Sequence, residues 1–213
     1  RDLAEHLDIS KGAIHHHLAT LRKNGYVIQD GNEYKISLRF LEIGEVAKSR
    51  AQIVQAEKNN LRELAEATDT RVQLIREEFG MSGVLKMINN EHAIEPSTRI
   101  GRREHLHCTA SGKAILAYLS EDRVEGIIDK HGLPARTKNT ITDRERLFEC
   151  LDEVRETGVA FNDGEKIRGL RAVGAPILTD DDSVLGAVRG HRHGPFRHLR
   201  QPDVPGRPGH RPR

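Results

Sequence analysis

The sequence predicts an α+β protein with a small N-terminal module and a larger mixed domain. Apolar residues recur at helical spacing through residues 3–21 and again through residues 37–68. After Thr70, short β-branched runs typical of strands alternate with helical segments as far as Val188. Strands split by helices over such a span indicate an α+β domain of the sensor type.

The N-terminal module is predicted to be two short helices followed by a hairpin. The first helix, around Leu3, ends at Asp8-Ile9-Ser10, and Ser10 is a good N-cap for the second. The second helix has apolar residues at i, i+4 and i+7, namely Ile14, Leu18 and Leu21. Asn24-Gly25 ends it because glycine tolerates a left-handed cap. Residues 26–29 and 33–36, around Asp30-Gly31-Asn32, then form a small hairpin, or wing.

The outer face of the second helix is predicted to enter the major groove of DNA. No Asp or Glu occurs between Ile9 and Gln29. A helix with an apolar back and an acid-free front fits that groove. The candidate DNA-binding residues are Ser10, Lys11, Gly12, His15, His16, Arg22 and Lys23. The alternative is an ordinary helical hairpin with solvated charges, because residues 1–36 carry five basic and five acidic residues.

Residues 37–68 form a long amphipathic helical region, with a bend expected at Gly44 or in the run Lys48-Ser49-Arg50. Its apolar stripe is too long for a small wing domain to cover. Either it pairs with the same region of a second chain or it packs on its own chain, and the pattern alone favours neither.

The larger domain is predicted to begin with two paired strands, residues 71–77 and 84–88, joined by a turn at 79–83. Three helices follow at 109–119, 123–130 and 143–157, the last capped by Thr142 or Asp143. Strands are expected at 159–161, 172–178 and 184–188, with a turn at 179–183 between the last two.

Several residues of the larger domain could bind a ligand. The helix that starts near Thr109 could present backbone amides to an anion, or be a plain helix start. Arg168 and Arg171 could pair with a carboxylate, or be solvated. His105, His107 and Cys108, with Asp163 or Glu165, could bind zinc, although a polar lining or core role is the stronger expectation. We expect no metal site and no cofactor.

No set of nucleophile, base and orienting group emerges, so we do not expect an enzyme. Cys108 has no partner in the sequence that would activate it, and Ser111 lies in no GxSxG motif. The two cysteines form no disulfide framework, and no stretch approaches the ~20 apolar residues of a membrane helix. A cytoplasmic protein without a membrane partner is the default expectation.

The two ends of the chain differ from the rest. The chain begins at Arg1, inside the first helix of the motif, so we expect a preceding helix to be missing. From Arg189 to Arg213 the composition switches to seven Arg, four His, five Pro and four Gly among 25 residues. This tail carries +6 of charge, whereas residues 1–188 carry −4.

The chain resembles the IclR family of transcription regulators from Arg1 to Val188. The matching pieces include Ser10-Lys11, Gly25-Tyr26-Val27, Gly112-Lys113-Ala114 and, most characteristically, GLRAVGAPI at 169–177. The resemblance implies a winged helix-turn-helix at 1–38, linker and dimerisation helices at 39–68, and a GAF-like effector-binding domain at 69–188. The effector-binding positions that we expect are Cys108, Thr109, Ala110, Ser111, Gly112, Asn162, Asp163 and Ala172.

The chain departs from the family pattern at three places. Gly12-Ala13 replaces hydroxyl residues, His16-His17 replaces an Arg-Leu pair, and Arg189-Gly190-His191 replaces small hydroxyl residues and glycine. The last departure indicates either a shifted reading frame or a basic, disordered arm at 189–213 that grips nucleic acid. We favour the first, and therefore expect a strand that stops at Val188, a sheet with an exposed edge, and an effector pocket that lacks one wall.

The predicted function is a DNA-binding transcription regulator. The resemblance implies that its operator binding responds to a small effector, a carboxylic or aromatic acid, and that it works as a homodimer or a dimer of dimers. The alternatives are a small-molecule-binding module that has lost DNA control and, less favoured, a metal-binding sensor or hydrolase.

Overall fold

The computed structural model describes residues 2–57, 59–89 and 99–193, and the side chains of Asp2, Arg192 and His193 lie outside that description. The chain divides into two compact units, Arg1–Ala51 and Gln52–Arg213. In the described part of the chain, no helix is both long and apolar enough to cross a membrane.

The first unit has the predicted winged helix-turn-helix order. Its elements are α1 (Asp2–Leu7), α2 (Lys11–Lys23), β1 (Val27–Asp30), β2 (Glu33–Ile36) and α3 (Arg39–Ser49). Strands β1 and β2 pair antiparallel, with Val27 opposite Ile36 and Asp30 opposite Glu33. The hairpin turn has Gly31 at φ 60°, a conformation in which glycine is unstrained.

The boundaries of α2 follow its sequence. Ser10 has extended backbone angles, and its Oγ accepts a hydrogen bond from the Ala13 amide at 3.2 Å, as an N-cap does. The helix ends at Asn24, and Gly25 follows with φ 72°. Both predicted ends of the helix are confirmed.

The helical region 37–68 is divided differently from the prediction. It forms three helices: α3, α4 (Gln52–Ala56) and α5 (Asn60–Thr68). The first break falls at Arg50-Ala51, beside the predicted Lys48-Ser49-Arg50 run, and Gly44 lies inside α3. Helix α3 belongs to the first compact unit, whereas α4 and α5 belong to the second, so the expected linker region is shared between them.

The second unit is built on a six-stranded sheet in the order β5-β4-β3-β8-β7-β6, with every neighbouring pair antiparallel. Its strands are β3 (Arg71–Glu78), β4 (Met81–Ile88), β5 (Arg103–His105), β6 (Ala160–Asp163), β7 (Leu170–Leu178) and β8 (Val184–His193). Its other helices are α6 (Ala110–Leu116), α7 (Glu121–His131) and α8 (Arg144–Thr157).

Several details of this unit differ from the prediction. Strand β5, which has only three residues, was not predicted, and β4 begins three residues earlier than predicted. Helix α6 ends at Leu116 rather than Leu119. Of the two candidate caps for α8, Asp143 is the one used, and it accepts from the Arg146 amide at 2.9 Å.

The expected end of the last strand at Val188 is wrong. Strand β8 runs to His193 between β3 and β7, with His191 opposite both Arg71 and Ala172. The predicted exposed edge at this strand is therefore wrong as well. The ladder is made by backbone groups, so a change of side-chain composition does not by itself end it. Residues 194–213 of the predicted tail lie outside the described residues.

Helix α6 lies closely against the sheet. All seven of its residues are buried, and Ala114, Ile115 and Leu116 join the core formed with α7, α8 and the sheet. A Cβ built on Gly112 would lie 2.1 Å from the Leu106 carbonyl oxygen, and one on Gly174 of β7 would lie 2.6 Å from the Ala110 carbonyl carbon. Glycine at both positions is what permits this approach.

We predict that Gly112→Ala lowers the free energy of unfolding of the second unit by about 1–3 kcal/mol, because backbone atoms must move to admit the methyl group. The matched control is Gly126→Ala in α7, where no atom lies within 4 Å of the added Cβ. This control should gain about 1 kcal/mol from helix propensity. Urea unfolding followed by circular dichroism measures both, and equal effects of the two substitutions would contradict the close seating of α6.

Candidate functional sites

The outer face of α2 is open along its whole length. All seven candidate DNA-binding residues are exposed: Ser10, Lys11, Gly12, His15, His16, Arg22 and Lys23. Since helical residues are about 100° apart, Lys11, His15 and Arg22 share one line of the helix, and Gly12, His16 and Lys23 lie about 100–140° round from Lys11 on one side of that line. Ile14 and Leu18, which adjoin the line on its other side, are half-buried. The arrangement presents cations and imidazoles without a carboxylate on the helix.

The wing is tied to α2 through Arg22. Its Nη1 donates a hydrogen bond to Gln29 Oε1, and Gln29 Nε2 in turn donates to the Gly31 carbonyl at 3.0 Å. Arg22 is therefore partly engaged near the turn of the hairpin. Lys11, at the N-terminal end of the helix, makes no described ion pair.

Helix α3 is anchored where α2 meets the wing. The Ser37 hydroxyl donates to the Gly25 carbonyl, and the Arg39 guanidinium donates to the Asn24 carbonyl. The guanidinium carbon of Arg39 also lies 4.8 Å from the centre of the Tyr26 ring, which contacts Phe40 at 5.6 Å between ring centres. These contacts fix the start of α3 relative to α2.

The start of α6 brings most of the predicted effector positions together. Cys108, Thr109, Ala110, Ser111, Gly112, Asn162 and Ala172 are all buried. Thr109 caps the helix by accepting from the Gly112 amide at 3.0 Å, and Asn162 Nδ2 donates to the Cys108 carbonyl at 2.6 Å. Asn162 is also opposite Ala172 in the β6–β7 ladder.

Asp163 stands apart from this group. It is exposed, and its carboxylate accepts from Arg171 Nε at 2.7 Å. Arg171 is thus already paired within the chain, which weakens the suggestion that it holds a ligand carboxylate. Arg168 is exposed.

A buried charged cluster, which the sequence did not predict, lies on the sheet face beside α6. Glu104 pairs with Arg189 at 3.4 Å and with Lys166 at 2.5 Å, and Arg189 Nε donates to Gln73 at 3.0 Å. Burial raises the pKa of Glu104, but the charges of Arg189 and Lys166 and their hydrogen bonds outweigh it and hold that pKa below its ordinary 4.5. Arg189 was not predicted to belong to a site, because the Arg- and Pro-rich composition of residues 189–213 assigned it to the tail.

This cluster is close to the start of α6. The negative charge of Glu104 and the positive charge of Lys166 both act on the Cys108 thiol, although burial is the main reason that its pKa rises to about 11. Arg189 is opposite Gly174, the residue on which Ala110 packs. The thiol of Cys108 is therefore protonated and unreactive at neutral pH.

The histidines near Cys108 are held as neutral groups. His107 Nε2 lies 3.2 Å from the Pro134 carbonyl oxygen, and the His105 and His107 rings meet edge to face at 5.7 Å. Burial lowers the pKa of His107 to about 4; the Pro134 hydrogen bond opposes the shift, and the charges of His105, Arg136 and Lys113 add to it. No group of three or more potential metal ligands occurs among the described residues.

The fold and these sites define a class of protein: a winged helix-turn-helix regulator joined to a ligand-sensing α/β domain. Residues 46–189 match the family described as bacterial transcriptional regulator IclR, C-terminal, and residues 1–29 match the family described as bacterial regulatory protein, arsR family. The chain belongs to the IclR family of DNA-binding transcription regulators.

Similar proteins agree with this assignment. The probable HTH-type transcriptional regulator ArcR of Halobacterium salinarum is 33% identical over 192 residues, which are 88% of this chain and 73% of ArcR. The crystal structure of Thermotoga maritima IclR superposes with a TM-score of 0.70 at 25% identity, over 89% of this chain and 77% of that one. The inducer-binding domain of Acinetobacter PobR, solved with 3-hydroxybenzoic acid, shares the fold at 22% identity and a TM-score of 0.59, over 65% of this chain and 82% of that one.

We predict that acid weakens the second unit through His107. Its pKa is about 4 when folded and 6.5 ordinarily, so the unfolded chain binds a proton first as pH falls. The free energy of unfolding should drop by up to about 3 kcal/mol between pH 6.5 and pH 4. His107→Gln should remove that part of the slope in urea unfolding measured at each pH, whereas His17→Gln on exposed α2 should keep it. An unchanged slope in His107→Gln would count against a buried neutral imidazole.

Proposed function

We propose that the chain reads operator DNA in the cytoplasm with the exposed face of α2, using Lys11, His15 and His16, with Gly12 allowing close approach and Ser10, Arg22 and Lys23 in support. The observation that carries this proposal is an exposed helix face whose cations and imidazoles form no ion pair with a carboxylate of the described residues. Lysine can bind a phosphate or a guanine edge, and imidazoles can donate to base acceptors.

The chain works as a homodimer through the exposed apolar surface of α3. Two such dimers pair into a dimer of dimers. Phe40, Ile43 and Val46 are spaced three residues apart, so that each is a neighbour of the next on the surface of α3. Each is more than two-fifths exposed. Leu41 is 65% exposed. A second copy would cover this apolar surface, and two-fold symmetry matches a palindromic operator.

The effector is an organic acid whose carboxylate binds where the charged cluster meets the start of α6. Two largely buried cations, Lys166 and Arg189, and the more exposed Arg102 share the carboxylate of Glu104 in the described part of the chain. A ligand carboxylate would balance the second cation. The buried Ser111 hydroxyl, without a hydrogen-bond partner in that part of the chain, could donate to it.

We predict that Lys11→Glu abolishes operator binding without unfolding the protein, because it places a carboxylate against the phosphate backbone. The matched control is Lys130→Glu at the exposed end of α7, which changes the net charge equally. Mobility shifts at a fixed low salt concentration measure binding, and circular dichroism checks the fold. Operator binding by Lys11→Glu at the level of the control would refute the assignment of α2.

We predict that carboxylic acids raise the melting temperature of the protein and that the corresponding amides do not. Benzoate with benzamide and 3-hydroxybenzoate with its amide make suitable pairs, because the amide keeps the size and the ring but loses the negative charge and one acceptor oxygen. Arg189→Met should lose the response, whereas Lys138→Met, exposed in a loop, should retain it. Equal shifts by acids and amides, or a response that survives in Arg189→Met, would exclude the charged cluster as the acid site.

A further inference from the structure

A cavity lies beside the Lys113–Glu165 ion pair, between α8 and β6. Its volume is about 410 Å³, within the usual range for small-molecule sites. Apolar walls come from Val154 of α8, from Phe161 of β6 and from Val159 just before that strand. Residues 139–143 close one side. We refer to it as the α8 cavity.

The floor of the α8 cavity is a buried ion pair with one unused oxygen. Lys113 Nζ lies 2.6 Å from Glu165 Oε1, and the two side chains are 3% and 11% exposed. The other carboxylate oxygen, Glu165 Oε2, is buried and accepts no hydrogen bond from the described protein. An acceptor left unsatisfied in this way is costly, so a donor from outside the chain would be bound favourably.

Most other charged groups around the cavity are already engaged. Asp143 caps α8, Asp163 is paired with Arg171, and Arg146 donates to Glu149 at 2.6 Å. Glu153 is different: it is half-buried, lines the cavity, and forms no ion pair in the part of the chain that the structure describes. The charged groups left to receive a ligand are therefore two carboxylates, Glu153 and Glu165.

The charge of Lys113 decides which donors suit this site. An ammonium group at Glu165 Oε2 would lie beside the ammonium of Lys113, and two cations so close in a buried place repel strongly. A hydroxyl group donates a hydrogen bond without adding charge. Carboxylate acceptors beside an aromatic ring fit a molecule with several hydroxyls on an apolar carbon ring.

We propose that the α8 cavity binds a small polyhydroxylated molecule, a monosaccharide or cyclic polyol, whose hydroxyls donate to Glu165 and Glu153. The Phe161 ring lies against the C–H face of this molecule. The site is separate from the acid site at Glu104 and Arg189, because its walls come from α8, β6 and residues 139–143. It does not depend on the proposed DNA or acid-effector functions.

The test is isothermal titration of the full chain with four probes: D-glucose, D-galactose, D-ribose and myo-inositol. At least one should bind with a Kd at or below about 10 mM, while cyclohexanol, with the ring but one hydroxyl, should bind at least about tenfold more weakly. Glu153→Gln should weaken the binding of that probe by about tenfold, and Phe161→Leu should weaken it as well. Glu156→Gln, an exposed position on α8 outside the cavity, is the matched control and should bind as the unmodified chain does.

Glu165→Gln should abolish binding, but it also breaks the buried pair with Lys113 and can unfold the chain. Glu153→Gln, Phe161→Leu and the probes are therefore the decisive comparisons. Absence of binding by all four polyols overturns the proposal, as does cyclohexanol binding equally well. Binding of putrescine in place of the polyols, lost in Glu153→Gln, would mean a cation site and would overturn it too.

Discussion

The seating of α6 against the sheet is the constraint on which the larger unit depends. Its seven residues are buried, and backbone meets backbone where glycine occupies positions 112 and 174. The Thr109 cap and the Asn162–Cys108 hydrogen bond then fix where the helix begins. Because the helix cannot shift without a clash, the positions of Lys113 on it and of Cys108 just before it are both fixed. Both candidate ligand sites inherit their geometry from this one contact.

Buried ion pairs define those two sites more than they stabilise the fold. Removing charges from water costs several kcal/mol per ion, and the attraction of a partner roughly offsets it. The Lys113–Glu165 pair is thus weak as a source of net stability, and the same holds for Glu104 with Arg189 and Lys166. These ion pairs instead confer specificity on the two sites. The Glu104 cluster has more cations than carboxylates, and the Lys113–Glu165 pair leaves one carboxylate oxygen without a donor in the described part of the chain.

Local chemistry explains which parts could be predicted from the sequence. The ends of α2 were predictable because Ser10 and Gly25 act through their own backbone neighbours. The exposure of the polar residues of α2 followed from helical periodicity. The start of α6 followed from Thr109, whose side chain caps it. Strand β5 was not predictable, because three residues carry too little pattern and its pairing with β4 is non-local. The role of Arg189 also required its neighbours, Glu104 and Gln73, which lie far away along the chain.

The central place of β8 has a consequence for how the chain folds. This last described strand is inserted between β3 and β7, so that Gln73 and Arg189 bond across 116 residues. The ends of such a long loop must come together, with a loss of chain entropy, before the contacts between the strands can form and offset that loss. This requirement slows folding. On a ribosome, the helices and wing of the first unit can form from local contacts alone. The sheet must wait, with β3 and β7 each lacking a neighbour, until residues 184–193 have emerged; we expect this interval to be when the chain most needs chaperones.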